Sequence, residues 1–479
     1  MTRPGSHILK RALPALAAVA LLLGVAAPAH AARPLVLATT NHGPVFDGAG
    51  TDDALARAHS AGIRALRMYL SWEQIAPGGT SKPAGFNASD PGDPRYRWGG
   101  VDRLIRAADA QGISVILSIQ EAPQWAERGG GGPPSTNDPD PGEFGQFAQA
   151  AATRYSGSYA GLPRVRYYQA WDEPNFDGFL YPQFDSSGQV VSTGIYRNLV
   201  NALANAVKSV NADNLVVAGG LASFGKPGHA VGPMDFMRRL LCMSGGRKPA
   251  PTCRQDIRFD IWAVDPYTVG NAFHKSASSG GVSMGDLPAM GSLLRAATRS
   301  GQITHDGPVQ YWITEMGWDS NPPDPQGTPL GQLMREVPES LYQAWRSGVS
   351  LYTWYTLDDD PLGNSPYQSG IYFANGDAKP FISTMRFPFV AYRRGRQRVY
   401  VWGMTPGGQR GRVAIEQQVG SSWRTWALVR TNVFGIFSRT IRTRSRRPLR
   451  ANLTGGGGIS PEFALVRTPD TPYPVFGTP

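Results

Sequence analysis

Two short stretches carry the residues best suited to chemistry. "AWDEPN", residues 170–175, places two carboxylates side by side, Asp172 and Glu173, where a strand-like run ends. "WITEMGW", residues 312–318, places a third, Glu315, after another such run. Neighbouring acids repel, and removing either from water is costly. The arrangement suits a site in which one carboxyl must stay protonated while another stays ionised. Two carboxyls facing each other across a sugar ring can cleave a glycosidic bond, one protonating the leaving oxygen and the other attacking the anomeric carbon. Glu173 and Glu315 are the candidates for that pair.

Such a pair works only if the chain brings it together. From about Pro34 to Pro388, eight apolar strand-like runs alternate with helix-like segments: "PLVLATT", "IRALRMYLSW", "ISVILSIQEA", "VRYYQAWDE", "NLVVAGGLAS", "DIWAVDPYT", "VQYWITEMGW" and "SLYTWYTLDDD". Several of the intervening segments end in Gly, as a helix C-cap does. In "VDRLIRAADAQG", Val101, Leu104, Ile105 and Ala108 fall on one helical face. Eight β/α repeats over this length predict a (β/α)8 TIM barrel. The first strand is followed by "NHGPVFDGAG", which lacks the glycine spacing of a nucleotide-binding turn and so disfavours a doubly wound open sheet.

In a barrel of this kind, reactive side chains lie where strands end at the C-terminal face. The second strand offers Arg67 and the third leads to Trp125. The fourth offers Asp172 and Glu173, the sixth Asp265 and Tyr267. The seventh offers Glu315 and Trp318, and the eighth Trp354 and then Asp358, Asp359 and Asp360. Strands four and seven lie nearly opposite in a closed ring of eight, so Glu173 and Glu315 should face each other over the mouth. Arg67 is expected to hold one glutamate ionised. Asp172 should help keep Glu173 protonated through like-charge repulsion, and Tyr267 should hydrogen-bond the nucleophile. Trp125, Trp318 and Trp354 offer flat apolar faces on which sugar rings stack. The three consecutive aspartates lack the spaced ligands and glycine of a calcium loop. His42 reads as structural or as a peripheral sugar contact.

These motifs, in this order, resemble clan A glycoside hydrolases. "AWDEPN" is similar to the W-N-E-P-N motif of the fourth strand, and "WITEMGW" to the seventh-strand nucleophile motif. "YRWGGVDRLIRAADAQGISVILSIQEAPQWA" resembles the helix-two to strand-three passage of families 5 and 39. The likeness spans about residues 34–388. It implies a retaining hydrolase that acts on a polysaccharide or oligosaccharide without a cofactor, with Glu173 as acid/base and Glu315 as nucleophile. By position it matches Arg67, Tyr267 and Trp354 to substrate-site residues of the family. Two positions depart from the pattern. Asp172 stands where the family carries Asn, and Asp265 where it carries His, with His274 a little further on. These departures keep open a non-catalytic carbohydrate-binding or cell-surface adhesion protein on the same fold.

The rest of the chain supplies context. Residues 1–32 read as a signal peptide: a basic start, a short apolar run and small residues near Ala31. The expected location is therefore secreted or cell-surface, with no membrane span once the signal is removed. Cys242 and Cys253, the two cysteines of the chain, are expected to form a disulfide. Beyond residue 389 the texture changes to short alternating runs divided by Gly and Thr, which predict a small all-β, sandwich-like domain over 390–467 and a tail over 468–479. The 33–389 segment is the expected catalytic domain. The net charge of +11 is uneven: Tyr392–Arg450 holds fourteen arginines and one acid, Glu416. That stretch reads as a solvated surface or as a means of attraction to an anionic cell-wall or matrix polymer. Nucleic acid is not an expected partner, because recognition-helix, zinc-spacing and RNP-like patterns are missing from the sequence.

Overall fold

The computed structural model describes Met1 and residues 33–465, apart from 44, 45, 47, 49, 364–366 and 445. The expected signal peptide, beyond Met1, and the 468–479 tail lie outside the described residues. Eight parallel strands close into a barrel: β1 (Val36–Thr40), β2 (Ala65–Ser71), β3 (Ser114–Gln120), β4 (Tyr167–Ala170), β5 (Leu215–Ala222), β6 (Ile261–Asp265), β7 (Gln310–Ile313) and β8 (Leu351–Trp354). Each pairs with its neighbours in chain order, and β1 closes on β8. Between them run α1 (Thr51–Ala61), α2 (Gly99–Ala110), α3 (Pro141–Arg154), α4 (Ser192–Val210), α5 (Pro233–Leu240), α6 (Leu287–Arg299) and α7 (Leu330–Ser347). The architecture is the (β/α)8 barrel that the alternation predicts.

The helices form where apolar residues recur on one face. In α2, Val101, Leu104, Ile105 and Ala108 are all buried against the barrel. Gly62 and Gly348 end α1 and α7 in the left-handed conformation, donating back to the last-turn carbonyls. The apolar pattern "PMDFMRRLLCMSG" suggests a longer helix than α5, which stops at Leu240. Cys242 there turns to φ 53° and starts the loop closed by its disulfide to Cys253.

Two layers of core follow from strand alternation. The outward faces of the strands pack under the helices. The inward faces form a separate apolar plug: Ala38, Ala65, Ile116, Val217, Ile261, Ala263, Trp312 and Leu351. Two residues further along, the same inward positions turn polar, with Arg67 on β2, Ser118 on β3 and Asp265 on β6, all buried. The barrel thus has an apolar floor and, above it at the C-terminal end, a charged layer.

After a short helix, α8 (Ile382–Arg386), six strands build two antiparallel sheets. One contains β9 (Phe389–Arg393), β10 (Arg398–Met404) and β13 (Ile436–Arg442). The other contains β11 (Arg412–Val419), β12 (Ser422–Arg430) and β14 (Leu449–Leu453). This is the all-β part expected after residue 389, and β9 straddles the 389/390 boundary. In β13, Ile436, Phe437 and Ile441 are buried, while Phe434 precedes the strand and is exposed. Tyr342 and Trp345 of α7 pack against Tyr392 and Trp402, and the chain from Arg33 onward forms one compact unit.

A break in β5 matters for the barrel mouth. Gly219 and Gly220 have φ of 99° and 62°, and the register with β6 shifts between Ala218 and Leu221. A Cβ on Gly219 would lie 2.2 Å from the Ala263 carbonyl oxygen. Gly219→Ala should therefore lower stability by about 2 kcal/mol or more. Gly112→Ala, at a left-handed position with open space around it, should cost about 1 kcal/mol. Urea unfolding of the two variants checks the difference.

Candidate active site

The site begins with the backbone after β4. Trp171 and Glu173 have φ of 61° and 38°, a left-handed conformation that side chains other than glycine rarely adopt. Neighbouring strands hold the turn in place. The Trp171 amide donates to the Ile119 carbonyl and the Glu173 amide to Gly220, each at 2.9 Å. Asn175 of the motif is fully buried and clasps β5: its Nδ2 donates to Ala222 and Val231 carbonyls, and its Oδ1 accepts from the Ala222 amide. Tyr196 of α4 donates to the Ala170 carbonyl and accepts from the Gly219 amide. Strain concentrated on one turn and held from several sides is common where a side chain must be aimed.

Arg67 is the centre of the charged layer and is fully buried. Its Nη1 donates to Glu315 Oε1 at 2.7 Å and its Nη2 to Asp172 Oδ1. Its Nε donates to Gln169 Oε1 at 3.0 Å, and Gln169 in turn donates to the Trp171 carbonyl at 3.0 Å. Glu315 also accepts from Tyr69 at 2.5 Å and from Tyr267 at 2.9 Å. Its two oxygens are thus held by one cation and two hydroxyls. Burial, and then the charge of Glu315, push the Tyr69 and Tyr267 hydroxyls well above the usual range, so both remain donors. Burial opposes the charge on Arg67, but Asp172, Tyr69 and Glu315 hold its pKa well above the ordinary value.

The pKa values of the other three carboxyls are raised. Among the described residues the Glu173 carboxyl has no side-chain hydrogen bond. Burial first, then the charges of Asp172 and Glu315, raise its pKa well above the usual glutamate value. Burial pushes Asp172 up to about 6, against the pull of Arg67. Asp265 is raised by burial and by Glu315. Thr314 donates to its Oδ1 at 2.7 Å, while its Oδ2 lacks a partner among the described residues. Oxygens of Asp172, Asp265 and Glu315 all lie within 4.8 Å of one another, a spacing that could hold a metal ion. Here the guanidinium of Arg67 is the cation that bonds two of the three.

The structure therefore brings together Arg67, Asp172, Tyr267 and Glu315, with Glu173 electrostatically coupled to them. The tryptophans are placed differently. Trp354 is fully buried, packed 5.3 Å from Phe381 and 6.2 Å from Trp318, with its indole N–H on the Ser369 carbonyl. Trp318 keeps 7% exposure and donates to the Thr268 carbonyl. Trp125 is half-buried, edge-on to Trp72, with Lys82 Nζ 5.5 Å from its ring. His274 bonds the Val269 carbonyl on the loop after β6. The three aspartates after β8 separate: Asp358 pairs with Arg57, Asp359 with the buried Lys379, and Asp360 with His42. His42 also bonds the Tyr355 hydroxyl, and Tyr367 packs edge-on to Tyr355.

Tyr69 and Gln169 are the partners that the strand-end reading missed. Tyr69 was detectable from spacing: it lies two residues after Arg67, on the same inward face. Gln169 lies within β4 rather than at its end, so strand-end logic passes over it.

No protein-family model matches the sequence, and no curated protein matches it. Among solved structures, the chain is similar to a family 39 glycoside hydrolase from the gut symbiont Bacteroides cellulosilyticus WH2. The TM-score is 0.52 at 15% identity, covering 86% of this chain and 81% of that one. It is also similar to the GH39 enzyme from Xanthomonas axonopodis pv. citri, at TM-score 0.47, 14% identity and coverage of 86% and 92%. A family 1 b-glucosidase from Thermotoga maritima aligns at TM-score 0.45 and 14% identity, covering 73% and 95%. The fold is shared with the family 39 glycoside hydrolase from Bacteroides cellulosilyticus WH2.

The raised Asp172 carboxyl has a measurable consequence. Its pKa rises from 3.8 toward about 6 on folding, so the folded state holds more protons than the unfolded state in that window. Stability from this group is complete below pH 4 and is lost as pH climbs toward 6. Asp172→Asn removes that loss. The stability of the variant relative to the wild type should therefore increase steadily from pH 4 to 6, as measured by thermal unfolding of both proteins across that range.

Proposed function

We propose that the chain is a retaining glycoside hydrolase acting on a polysaccharide or oligosaccharide. The observation that supports this reading is the different surroundings of two glutamates in one charged layer. Glu315 is held in place by a guanidinium and two hydroxyls that donate to its oxygens. Glu173 has burial and two nearby negative charges, all of which favour its protonated form.

In the first step, a Glu315 oxygen attacks the anomeric carbon as the glycosidic C–O bond breaks. The Glu173 proton passes to the departing oxygen. In the second, the Glu173 carboxylate takes a proton from water, which attacks the same carbon and releases Glu315. Arg67, Tyr69 and Tyr267 orient the nucleophile and spread its charge. Asp172 helps keep the acid loaded with its proton. Trp125, half-buried, is the aromatic face for a sugar ring, whereas Trp318 and Trp354 are buried and pack against each other. The reaction as read here uses only protein side chains and water. We also read the protein as exported: the signal-like start of the sequence supports this, and so does the Cys242–Cys253 disulfide. Among the described residues, no helix is long and apolar enough to cross a membrane.

Glu173→Gln and Glu315→Gln should each lower kcat on a cleaved glycan by at least about 1000-fold while leaving the unfolding transition in place. Full activity in Glu315→Gln would refute the assignment. Sugar binding by the wild type without any release of reducing ends would make the protein a non-catalytic binder. The pH profile gives a second check, because activity must fall on the alkaline side as Glu173 ionises. Asp172→Asn removes a negative neighbour, eases that ionisation and should move the alkaline limb to lower pH.

A further inference from the structure

We propose that a cleft between α7 and the C-terminal sheets is a second binding site, one that takes an anionic polysaccharide. The cleft encloses about 1250 Å³. The turn between β9 and β10 contributes Arg393, Arg394 and Arg396 to its lining, and the segment between β13 and β14 contributes Arg444 and Arg446. Among the described residues, no Asp or Glu lines it. Arg394, Arg396, Arg444 and Arg446 are exposed and have no acidic partner among the described residues. By contrast, Arg450 of the same domain is bonded to Glu416.

Arg394, Arg396, Arg444 and Arg446 thus line one concave space as exposed guanidiniums without an acidic partner among the described residues, so their positive field is available to a bound polyanion. The turn is fixed rather than loose: Arg393 donates to the Arg396 carbonyl at 2.7 Å, and the Arg394 guanidinium sits 4.6 Å over the Tyr400 ring. The charges therefore sit along two edges of a groove, an arrangement that suits regularly spaced carboxylates or sulfates on a glycan chain. Nucleic acid fits less well. The tyrosines of the lining, Tyr342 and Tyr392, are only 4% and 2% exposed, so they offer no open face for stacking a base. The choice of a glycan over another polyanion leans on the glycosidase reading of the barrel. The existence of an anion site does not.

The test uses the chain from residue 33 onward, and its binding to polygalacturonate, dextran sulfate, neutral dextran and a random DNA duplex at low and moderate salt. The expected result is binding to polygalacturonate, dextran sulfate or both, weakened by salt, with none to dextran. Which of the two binds identifies the acid group. Replacing Arg394, Arg396, Arg444 and Arg446 together by Gln should weaken this binding at least tenfold. A control removes equal charge from exposed arginines around the β11–β12 pair, Arg410, Arg412, Arg424 and Arg430, and should change it less than twofold. Equal loss in the control would mean diffuse charge and would overturn the proposal. So would failure to bind either anionic glycan, or tighter binding of DNA than of both. Glu315→Gln should bind like the wild type, which keeps this result independent of catalysis.

Discussion

Arg67 is a full positive charge with no solvent contact, set above an apolar plug and below the barrel mouth. A lone buried cation would cost many kcal/mol, and a buried carboxylate costs a similar amount. The arrangement holds because one guanidinium faces several acids and bonds two of them directly. Four carboxyls share the field of that one cation. Burial and the neighbouring negative charges raise the pKa values of Glu173, Asp172 and Asp265, while Glu315 accepts from Arg67, Tyr69 and Tyr267. The different surroundings of Glu173 and Glu315 therefore follow from how the charges are arranged around a single side chain.

That balance depends on backbone geometry. Glu173 reaches the mouth because the chain after β4 takes a left-handed turn, and the turn persists because β3, β5 and α4 hold it through main-chain bonds and through Asn175 and Tyr196. The Gly219–Gly220 break in β5 is part of the same device. It frees the Gly220 carbonyl to receive the Glu173 amide. Local strain near the candidate site is thus matched by rigid contacts around it. The departures at 172 and 265 fit this picture. Asp172 is not an isolated added charge, because it is bonded to Arg67. Asp265 is bonded by Thr314 and held toward its neutral form.

The barrel and the β-rich part share a packed seam of Tyr342, Trp345, Tyr392 and Trp402. The seam fixes the arginine-bearing turns relative to α7. The positive charge of the C-terminal part is therefore not a uniform coat. Part of it is gathered at one edge of the seam, and part lies on separate strands.

The sequence by itself determined the barrel, because strand and helix periods are written into alternating apolar residues and do not depend on distant partners. It also singled out Glu173 and Glu315 as candidates, since they follow strands that lie nearly opposite in a ring of eight. The disulfide was legible from two cysteines close in sequence. Only the tertiary structure decided which partners each acid has. Tyr69 and Gln169 join the site because inward positions of different strands meet at one height, a relation set by barrel register. Trp354 reads in sequence as a surface for sugar but is enclosed by Phe381 and Trp318, which come from other segments. The three aspartates after β8 look like one cluster in the sequence, yet they diverge to Arg57, Lys379 and His42. Pattern fixes the elements because it is local, whereas charge pairing and burial are set by what the closed ring brings within a few ångströms.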